Sequence, residues 1–139
     1  EELLDEIDSG NVLLLDTRSS EEFSGEKQKD GASLAGTIPG SVHYDWGNAV
    51  QMSSSWLLKS EADLRHDLEA LGVTPDKNIV TFCHTGVRSA HTTFVLRELL
   101  NYPHVRNYDG SWTEWSYLQK HDSLGVPLRV GLSVTSPRP

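Results

Sequence analysis

Cysteine is almost missing from this chain. Cys83 stands alone among 139 residues, so no internal disulfide can staple the fold, and the redox compartment is not set by that route. Basic clusters are missing too. Twelve Lys and Arg lie scattered in a chain of formal charge -8, which excludes a general nucleic-acid surface, because phosphate binding needs grouped cations. No apolar run approaches the ~20 residues that span a bilayer, and no signal-peptide pattern is present. Neither nucleic acid nor membrane is therefore expected as a partner, and with no compartment fixed a cytoplasmic one is the default expectation. The six histidines show no His-Glu-x-x-His spacing and have no second cysteine to join, so no metal is expected.

What is present fits one domain, with 37% hydrophobic and 23% charged residues placing the chain among ordinary globular proteins. The start at Glu1 rather than Met reads as the edge of a processed or excised piece. Glu1 to Ser9 predicts a short amphipathic helix with Leu3, Leu4 and Ile7 on one side. Val12 to Leu15 is a continuous apolar run ending in Asp16, the pattern of a strand covered on both faces. Ser20 to Phe23 suggests a short helix, and Gly25 to Gly36 a polar surface loop. Thr37 to Tyr44 reads as a turn and a short strand, while Asp45 to Leu58, with Trp46 and Trp56, has no clean period.

Ser60-Glu61-Ala62-Asp63 has capping-box spacing, followed by Leu64, Leu68 and Leu71 and a stop at Gly72. Asn78 to Phe82 reads as a buried strand. Arg88 to Leu100 predicts a helix with a broad apolar surface (Ala90, Phe94, Val95, Leu99). Val105 to Tyr108 reads as a strand, and Ser111 as the N-cap of a helix through Lys120. Beyond the domain at 1–123, the Gly-, Pro- and Ser-rich residues 124–139 are expected to form a tail with little regular structure. Strands alternating with helices indicate an α/β fold, a mostly parallel central sheet with helices on both faces.

Such sheets bind ligands at the carboxyl ends of their strands. Cys83 falls there, between a buried strand and a helix opening at Arg88. Gly86 allows the intervening turn to gather N–H groups with no Cβ in the way, and the positive end of the helix dipole faces the same loop. A thiol so placed loses its proton more readily, and the thiolate is the reactive form. His84, Thr85, Gly86, Val87, Arg88 and Ser89 are thus the candidate anion cradle, with Arg88 and Ser89 supporting it. Arg88 follows Cys83 with four residues between. Phosphatases and arsenate reductases cradle a tetrahedral oxyanion with Cys-x5-Arg, so this ring is one residue short for phosphate and better sized for a single sulfur atom.

Cys83-His84-Thr85-Gly86-Val87-Arg88-Ser89 resembles the active loop of rhodanese-fold sulfurtransferases. Three further segments agree in order. Leu14-Leu15-Asp16-Thr17-Arg18 with Glu22-Phe23 is similar to the family's Asp-x-Arg strand end and Glu-aromatic pair. Gly36-Thr37-Ile38-Pro39-Gly40-Ser41 is similar to its Gly-His-Ile-Pro-Gly-Ala turn, with Thr37 in place of His. Tyr108-Asp109-Gly110-Ser111-Trp112 resembles the Asp-Gly-Ser-Trp form found in thiosulfate and 3-mercaptopyruvate sulfurtransferases.

The resemblance implies a three-layer rhodanese-like fold over about Leu3 to Lys120. It also implies a persulfide on Cys83, charged by a small sulfur donor and discharged to a thiol or cyanide acceptor, with no cofactor. Asp16 and Arg18 are implied to tie the first strand's end to the active loop, and Trp112 to sit in the core and wall the pocket. Glu22 stands where two-domain enzymes often carry Arg for an anionic donor, which leaves the donor open. A second rhodanese domain or an acceptor protein is a further expected partner. The alternatives are a sulfur-carrier or protein-binding module and, remotely, a phosphatase or arsenate reductase.

Overall fold

The two apolar runs around Leu14 and Val80 become neighbouring strands in the middle of one sheet. The computed structural model describes residues 2–51 and 57–121. Its helices are α1 (Glu2–Asp8), α2 (Ser20–Ser24), α3 (Glu61–Ala70), α4 (Val87–Phe94) and α5 (Ser111–Lys120). Its strands are β1 (Leu13–Asp16), β2 (Val42–His43), β3 (Val50–Gln51), β4 (Leu57–Leu58), β5 (Ile79–Phe82) and β6 (Val105–Asn107). The main sheet runs β2-β1-β5-β6 and is parallel throughout. β3 and β4 pair separately and antiparallel.

Side chains alternate across the pleat, and here both faces are covered. Leu15 and Ile79 join Leu64 and Leu68 of α3, and Leu96 and Leu100 after α4, in one cluster. Leu14, Val80 and Phe82 join Trp112 and Trp115 of α5 in the other, against which Leu3, Leu4 and Ile7 of α1 pack. Three layers result, as the alternating pattern implied. Register then sets the site. Leu13 pairs with Ile79 and Asp16 with Phe82, so both central strands end at one level, with Thr17 and Cys83 the first residues past the edge.

Several local expectations shift. The segment after Cys83 is α-helical only from Val87 to Phe94, then widens into a π-helical turn at Val95–Leu99. Ala90 and Phe94 face solvent while Ser89, Thr92, Val95 and Leu96 are buried, because the helix packs on the sheet by a mixed small-polar and apolar stripe. The Gly25–Gly36 segment holds no helix or strand, but Leu34 and Gly36 are buried in it. Ser60 caps α3 through the Asp63 N–H as read. Ser111 does not cap α5. Its backbone takes a left-handed φ of 51°, and its hydroxyl points into the Cys83 loop. Trp56 and the tail at 124–139 lie outside the described residues. Among the described residues no helix is long and apolar enough to cross a membrane.

Candidate active site

Leaving β5 at Phe82, the chain turns at once into the helix that starts at Val87. The turn closes because Gly86 adopts φ of 92°. That glycine lies against the β6–α5 connection, where an added Cβ would come within 2.9 Å of the Asp109 carbonyl oxygen. The tight loop curls around the Cys83 sulfur. The Gly86 N–H lies 3.1 Å from Sγ and the Ser89 hydroxyl oxygen 3.4 Å from it. Burial pushes the thiol's pKa up; the Ser89 hydroxyl and the N–H groups of Ser89, Thr85 and Gly86 pull it down further, and the balance lies below the ordinary cysteine value. The residue is 1% exposed.

The loop is held from outside by bonds that sequence patterns do not carry. The Cys83 N–H donates to Ser111 Oγ at 3.1 Å, and that hydroxyl donates to the Tyr108 carbonyl at 2.7 Å. Trp112 and Thr113, opening α5, donate their N–H groups to the Cys83 and His84 carbonyls at 3.0 and 3.1 Å. Asn107, ending β6, donates to the Gly86 carbonyl at 3.1 Å and accepts the Ser89 hydroxyl at 2.6 Å. His84 is buried, and its Nε2 donates to the Asp30 carbonyl at 2.9 Å. Thr85 and Val87 are exposed at the rim, Val87 by 75%. Ser111 and Asn107 are the site residues that sequence reading missed. The left-handed φ of a non-glycine residue marks Ser111, and that is a feature of the fold, not of the sequence.

Arg88 is the loop's cation, and Glu22 claims it. Arg88 Nη1 and Nη2 reach the two carboxylate oxygens at 2.8 and 2.9 Å. Ser19, the N-cap of α2, also donates to Glu22 at 3.1 Å. Burial opposes the Glu22 charge, but Arg88 overrides it and lowers the carboxyl pKa to about 2. A group depressed in this way stabilises the fold above its unfolded pKa of about 4.3, and the contribution is lost as pH falls toward about 2. In urea titrations Glu22→Gln should therefore be the less stable protein near neutrality, and its deficit should shrink across that acid window. A deficit constant with pH would show that the pair does not act through charge.

Asp16 and Arg18 do not tie the strand end to the Cys83 loop. Their bidentate pair, with Nη2 to Oδ2 at 2.7 Å, grips the Gly36–Thr37 turn. Arg18 Nη2 donates to the Gly36 carbonyl and Thr37 Oγ1 donates to Asp16, each at 2.7 Å. The Arg18 guanidinium lies over the rings of Phe82 and Trp112. The direct tie to β5 comes from Thr17, whose N–H and hydroxyl both reach the Phe82 carbonyl, at 3.0 and 3.1 Å. Trp112 is buried, its indole N–H donating to the Leu34 carbonyl at 2.9 Å. It sits in the core cluster with Leu14, Val80 and Phe82.

A thiol of lowered pKa, set among hydrogen-bond donors at the carboxyl edge of a parallel sheet, has the setting of a reactive cysteine. The chain belongs to the rhodanese-like domain family, whose pattern matches residues 1–118. Among curated relatives, the sulfur carrier protein TtuD of Thermus thermophilus is 44% identical over 131 residues, covering 90% of this chain and 44% of its own. The thiosulfate sulfurtransferase of Azotobacter vinelandii is 42% identical over 113 residues, 81% of this chain and 40% of that protein. The chain thus spans less than half the length of these relatives. Among solved structures, the anaerobic ergothioneine biosynthesis enzyme of Chlorobium limicola superposes with a TM-score of 0.73 at 27% identity. That match covers 84% of this chain and 28% of the larger one.

Proposed function

We propose that this domain is a sulfurtransferase in which Cys83 carries the transferred sulfur. The Cys83 thiolate attacks the outer sulfur of a thiosulfate-like donor. The donor's sulfur–sulfur bond breaks, its electron pair leaves with sulfite, and a persulfide remains on Cys83. The acceptor, a thiolate or cyanide, then attacks the terminal sulfur, and the second bond pair returns to Sγ. Splitting the transfer in this way gives ping-pong kinetics. The N–H groups of Thr85, Gly86 and Ser89 serve both halves, because each state presents a negatively charged sulfur inside the loop.

One observation carries the reading: the Gly86 N–H and the Ser89 hydroxyl reach a single sulfur atom at 3.1 and 3.4 Å, and with the N–H groups of Thr85 and Ser89 they hold its pKa below the ordinary cysteine value. The relatives named for thiosulfate sulfur transfer support it. The Arg88 charge is engaged by Glu22, so an anionic donor meets the loop's N–H groups and not a free guanidinium. Asp16, Arg18 and Trp112 take supporting parts through the packing beneath the loop.

The test is intact-mass measurement after incubation with thiosulfate, and separately with 3-mercaptopyruvate, followed by cyanide. Wild type should gain the mass of one sulfur atom, lose it on cyanide treatment and release thiocyanate; Cys83→Ala should do none of these. Uptake discharged only to a protein thiol would favour the carrier reading. No uptake from any donor would overturn the enzyme, and hydrolysis of an aryl phosphate would replace it with a phosphatase.

A further inference from the structure

Ser89 has one hydroxyl proton and two places to put it. Asn107 Oδ1 lies 2.6 Å from Ser89 Oγ, and Cys83 Sγ lies 3.4 Å from it. The amide cannot be reversed to change this, because Asn107 Nδ2 donates to the Gly86 carbonyl at 3.1 Å, and a flip would set two carbonyl oxygens face to face. The shorter contact takes the proton. Ser89 then turns lone pairs toward the sulfur, a geometry that accepts an S–H and does nothing for a thiolate.

We propose that Asn107 is a positioning residue that holds the Ser89 proton off the sulfur while Cys83 is a thiol, and yields it to the sulfur when Cys83 bears negative charge. The amide oxygen is not orphaned by that move. Thr81 Oγ1 lies 3.3 Å from Asn107 Oδ1 and 2.7 Å from Thr93 Oγ1, while Thr93 donates to the Ser89 carbonyl at 2.9 Å. Rotation of the Thr81 hydroxyl supplies Asn107 with a donor as Ser89 turns away. The proton swings about the Ser89 Cβ–Oγ bond, so no proton is gained or lost at Ser89, Thr81 or Asn107. The groups that charge or titrate around the loop are His84 within it, Arg88 from α4, Glu22 from α2, Asp16 at the end of β1 and Arg18 just past it, and Asp109 and Glu114 from the β6–α5 segment. None of them is altered in the test below.

Removal of Asn107 leaves the sulfur as the nearer acceptor for Ser89, so ionisation should become easier although the loop has lost a strap. A merely structural Asn107 would do the opposite. Because Cys83 is the single cysteine, thiolate absorbance in the ultraviolet reports its ionisation directly, with Cys83→Ser as the blank. The midpoint in Asn107→Ala should fall by about one pH unit relative to wild type, Ser89→Ala should raise it, and Asn107→Ala should have no effect in the Ser89→Ala background. A midpoint that rises or stays put in Asn107→Ala, or falls equally in both backgrounds, overturns the proposal. Asn107→Leu guards against a folding failure: it keeps the volume of the side chain but cannot take the Ser89 proton, so its midpoint should also fall, and an unchanged or higher one counts against the proposal. The inference assumes that Cys83 works as the proposed sulfur carrier, but the titration needs no sulfur donor. A failed sulfur uptake and a failed proton switch are therefore read separately.

Discussion

Replacing Asp16 with Ala should cost about 3–5 kcal/mol, the scale of leaving one charge of a buried pair alone. Arg18 is 2% exposed and Asp16 fully buried. The carboxylate takes Arg18 Nε and Nη2, the Arg18 N–H and the Thr37 hydroxyl. Without it the guanidinium keeps the Gly36 carbonyl and the faces of Phe82 and Trp112, too little for a cation out of water. A domain of this kind has about 5–15 kcal/mol in all, so the variant should unfold at markedly lower urea concentration and populate unfolded chains near physiological temperature. The double variant Asp16→Leu/Arg18→Leu should recover much of the loss, since apolar replacement of a whole buried pair is often neutral. A single-variant loss below about 1 kcal/mol would mean that water reaches Arg18.

The second large effect belongs to Gly86. Alanine there must hold a left-handed φ, at roughly 1–2 kcal/mol, and its Cβ would press on the Asp109 carbonyl oxygen 2.9 Å away. That neighbour is backbone and cannot swing aside. Any shift that relieves the clash moves the Gly86 N–H, which lies 3.1 Å from Sγ. Stability and transfer should therefore fall together, transfer by about 10²-fold or more, the scale of losing one oxyanion donor. Thiocyanate formation from thiosulfate and cyanide, measured beside a urea curve, separates the two. A destabilised variant with full transfer would remove the Gly86 N–H from the chemistry.

These two sites differ in how far the sequence revealed them. Gly86 was legible because a strand, a glycine-containing turn and a helix start are local, and their physics is local as well. The capping of α3 by Ser60 and the buried runs around Leu14 and Val80 were legible for the same reason. Asp16 and Arg18 were visible as residues, but their contact was misjudged: the pair meets Gly36 and Thr37, about twenty residues on, and nothing in β1 itself names that turn. Ser111 looked like a helix cap by type and position. Instead its backbone takes the left-handed region so that its hydroxyl can receive the Cys83 N–H. The π turn at Val95–Leu99 and the short β3–β4 pair left no periodic trace, since each is too brief to repeat.

The sequence by itself determined that one thiol would sit at the end of a buried strand in a ring of N–H groups, because loop length, glycine and strand–helix order act over a few residues. It also determined the layered α/β architecture, through runs and periods that bury apolar surface. Only the tertiary structure decided which polar groups reach the ring. Glu22 engages Arg88 from 66 residues away, Ser111 holds the Cys83 N–H from 28, and Asn107 takes the Ser89 proton from 18. Buried polar atoms must be paired, and each pairing depends on where the parallel strands bring their ends. That is a property of register and packing, which no window of the sequence contains.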